Sequence, residues 1–203
     1  MALTALSQRY SLTILRQCLK VLELLSQADL DIILPWRNDP AVRQCMYTSH
    51  VITADEHQKW FKHMSATDDR MALLFSVDNK PRGVVQFNQL NIDTRRGMWG
   101  FYIDPKAPPQ CSLLMEFEAL EYAFAVLELH KLDCEVISFN KKVINLHKKS
   151  GFLEEGWFVD YHYDGTQFHD VCRLSMLANN WPEHRARIAA RIDRLQPHTD
   201  SSA

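Results

Sequence analysis

Apolar and polar positions alternate over Leu19–Leu25, which predicts a first strand. After Ser26, apolar residues recur at helical spacing at Leu30, Ile33 and Leu34. The prolines of the Pro35–Pro40 segment are expected to break that helix. Thr53 with Glu56 three residues on forms a capping box, and the helix it opens carries His57, Trp60, Phe61 and Met64 on one face. Three strand-like runs follow: Met71–Val77, Gly83–Leu90 and Gly97–Ile103. Turn residues separate them, and they read as an antiparallel meander. The longest helical period spans Ser112–Leu129, with Leu113, Leu114, Phe117, Leu120, Ala123, Phe124 and Leu127 on its apolar face. A strand, Leu132–Phe139, precedes a short helix. Two more strands then meet at the Asp164-Gly165 hairpin turn.

This order, β-α-α-β-β-β-α-β-α-β-β, places the chain in the α/β (α+β) class. It predicts a mixed, mostly antiparallel sheet of about seven strands with helices on both faces. Residues 1–18 read as an N-terminal extension, 19–180 as one domain, and 181–203 as a helical or disordered tail, helical to about Leu195.

The most specific segment is Asn140–Phe152. Asn140 can N-cap a helix, and Val143, Ile144, Leu146 and His147 supply its inward face. Gly151 can take the left-handed position after the helix, with Phe152 as the hydrophobic contact beyond it. A second unusual position is Glu135, inside an otherwise apolar strand. Alternation puts Asp133, Glu135 and Ile137 on one face and Leu132, Cys134 and Val136 on the other. A carboxylate there needs a reason, either a salt bridge or work as a general base.

Composition removes several function classes. Of 203 residues, 46% are hydrophobic and 24% charged, and the net charge of −2 gives no electrostatic footprint for nucleic acid or an anionic membrane. The five cysteines are scattered, with no C-x-x-C, which suits free thiols in a reducing cytoplasm. No apolar run reaches membrane-spanning length, and the nine histidines lack metal-ligand spacing, so no metal is expected.

The Asn140–Phe152 segment resembles the Asn-x-x-Ala-x-x-Leu-Tyr-x-Lys-x-Gly-Phe pattern of the GNAT superfamily of N-acetyltransferases. The resemblance implies the GNAT fold and acetyl-CoA as cosubstrate, with the thioester lying between the last meander strand and the strand after the long helix. It assigns backbone contacts to Phe101, Tyr102 and Ile103, and pyrophosphate contacts to the amides of Gln110, Cys111, Ser112 and Leu113. Asn140, Lys142 and Lys148 are the further cofactor candidates. The expected pyrophosphate loop carries glycines, whereas Lys106–Ser112 here holds two prolines and no glycine. His147 stands where the family has a tyrosine that protonates the departing thiolate. Glu135 is the expected general base.

The run from Tyr47 through Trp60 resembles a narrower subgroup, the PseH-like amino-sugar acetyltransferases of pseudaminic acid synthesis. This implies a UDP-linked 4-amino-4,6-dideoxy sugar as acceptor, in a flagellin or surface-glycan pathway. Arg37, Arg43, Tyr47, Thr48, His50, Trp60, Gln86 and Asn88 are its candidate contacts; His162 and His169 read as surface residues. Acetylation of protein N-termini or polyamines is the rival reading, and a non-catalytic binding module of the same fold is another. A monomer or homodimer is expected.

Overall fold

The computed structural model describes residues 20–195. The predicted extension over 1–18 and the end of the tail beyond Leu195 lie outside the described residues. The meander forms as the alternation predicts. β1 (Lys20–Leu24), β2 (Met71–Val77), β3 (Lys80–Asn91) and β4 (Arg96–Ile103) pair antiparallel in sequence order. The β2–β3 turn places Asp78 and Asn79 at φ 52° and 58°. That twist matches a two-residue hairpin, and aspartate and asparagine tolerate it. β5 (Lys131–Ile137) then joins β4 in parallel, and β7 (Phe168–Leu177) and β6 (Leu153–Tyr163) complete the sheet in the order β1-β2-β3-β4-β5-β7-β6.

Helices cover both faces. On one side α1 (Leu30–Asn38), α2 (Pro40–Arg43) and α3 (Ala54–Ser65) pack over a cluster of Leu30, Ile33, Met64, Leu74, Val84 and Tyr102. Contrary to expectation, α1 runs through Pro35 and stops only at Asp39. An internal proline costs about 3 kcal/mol in a regular helix, but Ile33 is buried before it and Trp36 packs on the same cluster after it. Their burial holds the turn. Asp39 then caps α2 by accepting from the Ala41 amide. Thr53 and Glu56 cap α3 reciprocally, as the capping box predicts.

The other face holds the main core, covered by α4 (Cys111–Glu121), α5 (Lys141–Ser150) and α6 (Trp181–Leu195). α4 departs from the amphipathic reading. It is buried on nearly every side, Glu116, Glu118 and Glu121 included, and continues as a π-helical turn over Tyr122–Val126. The cause is α6, which brings Trp181, Ile188 and Ile192 onto the same core. Glu121 accepts hydrogen bonds from Trp181 Nε1 and Arg185 Nε, both at 2.8 Å. The helical part of the predicted tail is therefore a cover for α4. No helix among the described residues is long and apolar enough to cross a membrane.

Candidate active site

β4 and β5 pair only through Arg96–Lys131, Gly97–Leu132 and Met98–Asp133. Beyond that point β4 keeps β3 on one edge while β5 follows β7, so the two strands splay. Backbone groups of Trp99–Ile103 on the β5-facing edge are left without a strand partner. Unpaired amides at such an edge can bind an acyl carbonyl and the charge that develops on it. Phe101 is half-buried here, Tyr102 is buried in the α1–α3 cluster, and Ile103 packs toward the main core.

The start of α4 lies just past β4. Asp104 organises the glycine-free loop: its carboxylate accepts from the Lys106 amide and its carbonyl from that of Ala107. The Cys111 amide, an expected donor, bonds the Pro108 carbonyl at 2.9 Å and is spent in the turn. Leu114 already bonds back to Gln110, which leaves the amides of Ser112 and Leu113 as the helix-start donors. The Cys111 and Leu113 side chains point into the core, and that of Gln110 is exposed.

At α5, the Asn140 side chain accepts from the Val143 amide, and Gly151 takes φ 104°, as the sequence predicts. Lys142 is exposed. Lys148 instead binds Glu154 at the start of β6, and Lys141 lies over the Trp157 ring at 5.4 Å. The Lys148 ammonium thus ties helix to strand.

A cleft of about 410 Å³ opens between α1–α3 and β4. Arg37, Tyr47, Thr48, His50, Trp60 and Gln86 line it, together with Gly100, Phe101 and Tyr102. Six of the eight acceptor candidates therefore share one cavity. Arg43 and Asn88 are not in its lining: the Arg43 guanidinium donates to the Ser49 carbonyl at 2.7 Å and secures the loop instead. Arg37 Nη2 donates to the Thr48 carbonyl at 2.8 Å, but its Nη1 is buried with no partner. His57, missed as a site residue, is buried and stacks on Trp60 at 5.1 Å with 4° between ring planes. Burial and then Arg37 hold its pKa below the usual value, so it is neutral. Glu56 is the only acid in the lining, and Thr53 and then His50 hold its carboxyl below the usual range.

Glu135 has both oxygens engaged. Oε1 accepts from Arg173 Nη1 and Oε2 from the Tyr47 hydroxyl, each at 2.7 Å. The salt bridge follows from register, since Glu135 faces Arg173 across the β5–β7 pair. Arg173 also binds Asp133 at 3.0 Å. Neither partner was legible in the chain, because alternation names a face and not the residue on the next strand. Tyr47 thus spans from the cleft to Glu135. Burial, and then its bond to Glu135, pushes the phenol's pKa well up. His162, read as a surface residue, is buried and packs edge-on against Tyr47 at 5.4 Å.

His147 is also buried, packed among Trp99, Phe101 and Phe152. Its Nδ1 pairs with Glu116 Oε1 at 2.8 Å, and the Cys134 thiol lies in hydrogen-bonding reach. The cysteine therefore has the histidine context that its sequence surroundings lack. Burial opposes the imidazolium, but Cys134 and Glu116 outweigh it and push the pKa up to about 10. Among the described residues, no group of histidine, cysteine and acidic side chains could hold a metal ion.

The sequence matches the profile of the acetyltransferase (GNAT) domain over residues 21–153, which defines the class as an N-acetyltransferase. The chain belongs to the GNAT acetyltransferase family. It is 29% identical over 148 residues to Acetyltransferase PseH of Campylobacter jejuni subsp. jejuni serotype O:23/36, across 73% of this chain and 87% of that protein. It is 24% identical over 162 residues to the spermidine N(1)-acetyltransferase of Vibrio cholerae serotype O1, across 79% and 94%. The fold also matches the crystal structure of spermidine N-acetyltransferase from Vibrio cholerae in complex with CoA and spermine. That match has a TM-score of 0.75 at 22% identity, over 80% of this chain and 98% of that one.

Proposed function

We propose that the protein transfers an acetyl group from acetyl-CoA to the 4-amino group of a UDP-linked 4-amino-4,6-dideoxy sugar. The observation that carries this reading is the charge of the cleft. Its lining holds the Arg37 guanidinium, with an unpartnered buried nitrogen, and several aromatic rings, against the single acid Glu56, which Thr53 and His50 already engage. A polyamine is a polycation and needs acidic groups along its length. A nucleotide-linked sugar carries a diphosphate that a guanidinium can bind, and planar groups that aromatic rings can stack upon. The resemblance of the Tyr47–Trp60 run to the PseH-like subgroup supports the same acceptor, and two relatives named Acetyltransferase PseH are 28% and 29% identical to this chain.

The chain suits an acyl-CoA cosubstrate through the open edge of β4, the free amides at the start of α4, and Trp99 Nε1, which is buried without an acceptor. The amine nitrogen attacks the thioester carbon, forming the C–N bond as the C–S bond breaks. Amides of the Trp99–Ile103 edge stabilise the oxygen as charge builds on it. Tyr47 Oη takes the ammonium proton as its own proton passes to Glu135 Oε2. His147 returns a proton to the departing sulfur.

The test is product formation by mass spectrometry with acetyl-CoA and either the UDP-amino-sugar or spermidine. Acetylation of the sugar with no turnover of spermidine is expected. Preferred turnover of spermidine would reject the sugar reading. Calorimetric titration with CoA separates a failed acceptor from a failed cosubstrate.

A further inference from the structure

We infer that Glu116 is a positioning residue for His147, fixing the ring so that Nδ1 faces the carboxylate and Nε2 carries the proton given to the leaving sulfur. The inference rests on the reading of His147 as the acid. α4 is otherwise apolar where it meets the sheet, and Glu116 is completely buried in it. A carboxylate in that position costs several kcal/mol unless a cation compensates it. A leucine would fill the same space without that cost. The compensation is the 2.8 Å contact with His147 Nδ1, and the second oxygen of Glu116 has no partner at all.

The neighbours of the ring set its direction. α4 contributes Glu116, β5 contributes Cys134, and β4 contributes Trp99 and Phe101, neither of them charged. Phe152 closes the side behind α5. With Nδ1 held by Glu116, Nε2 is the nitrogen that remains to meet a sulfur, and in this structure the sulfur within its reach is that of Cys134. Cys134 is the first β5 residue past the last β4–β5 pair, so the thiol near the ring stands at the mouth of the splay. A sulfur atom is therefore already accommodated within reach of the ring, next to the open β4 edge that the proposed reaction uses. The arrangement follows the general logic by which a buried carboxylate selects the tautomer of a catalytic imidazole.

The experiment compares Glu116→Gln, Glu116→Asp and His147→Ala with the parent, as kcat and KM for acetyl-CoA against pH, with folding checked by thermal melting. Glu116→Gln is expected to lower kcat by about 10- to 100-fold with KM within about twofold. It should also move the high-pH limb of kcat down by about one unit or more. Glu116→Asp should restore part of the rate. In a His147→Tyr background, where no imidazole needs orienting, Glu116→Gln should cost no further kcat. An unmoved limb, or an equal loss in that background, overturns the positioning role and leaves the acid role standing. Full activity of His147→Ala overturns the acid reading itself. If Glu116→Gln does not fold, ¹⁵N NMR of the parent decides: a neutral imidazole at pH 7 overturns the proposal, and an imidazolium with a strongly deshielded Nδ1–H supports it.

Discussion

The Tyr47 hydroxyl donates to Glu135 Oε2 at 2.7 Å, joining positions 88 residues apart. One end of this contact lines the cleft between α1–α3 and β4. The other is a carboxylate anchored by Arg173. Tyr47 is too weakly acidic, with burial as the chief cause, to serve as the ionised base on its own. In the proposed reaction, a proton leaving the amine would therefore pass on to Glu135. Glu135→Gln is expected to reduce kcat by about 10² to 10⁴, and Tyr47→Phe by less, since water can replace the hydroxyl. Affinity for acetyl-CoA should stay unchanged in both. Arg173 keeps Asp133 in either variant, so folding should survive. A matching loss of cofactor affinity and turnover would reject the relay.

Arg37 offers one bonded and one unpartnered nitrogen. Burial lowers its pKa, yet a guanidinium stays charged. If the free nitrogen meets a diphosphate, Arg37→Lys removes the planar fork and raises acceptor KM by about tenfold or more. The effect should vanish for an amino sugar without its nucleotide. Steady-state kinetics with the two acceptors check this, and an equal change for both would mean that Arg37 acts only by fastening Thr48.

The order of elements along the chain and the Asn140 helix could be read from the sequence because both rest on local rules: alternation, caps and a left-handed glycine. The capping box at Thr53 was equally plain. The partners of Glu135 and His147 were not. Arg173 and Glu116 reach them through strand register and helix packing, which join distant segments. The helical period over Ser112–Leu129 named only an apolar face and left Glu116 without a role, since nothing local announced that α6 would cover α4. Pro35 misled for the opposite reason: a strong local rule gave way to burial on either side of it.

Gly151 has φ 104°, and a Cβ placed there would lie 2.4 Å from the His184 ring on α6. Gly151→Ala therefore meets backbone strain and a clash together. It is expected to destabilise the fold by more than about 1 kcal/mol. His184→Ala in the same chain should recover the clash and leave the strain, so the two substitutions should not be additive. Thermal denaturation of the two single variants and the double variant measures the coupling. Simple additivity would show that α6 does not press on the α5 terminus.

The buried His147–Glu116 pair should write itself into the pH dependence of stability. Unfolded histidine titrates near 6.5, and His147 in the fold is pushed up to about 10. Between those values the folded state holds a proton that the unfolded chain releases. Stability from this group is therefore complete below about 6.5, declines as pH rises, and is gone once pH passes about 10. Replacing both residues with leucine removes the titration and the buried charges together, so that variant should match or exceed the parent at neutral pH while losing turnover. Denaturant titrations at pH 6.5, 8 and 10 give the comparison. The parent should lose ground to the double variant across the series. A constant difference between the two proteins would mean that His147 does not hold its proton through this range, and the acid role would lose its physical basis.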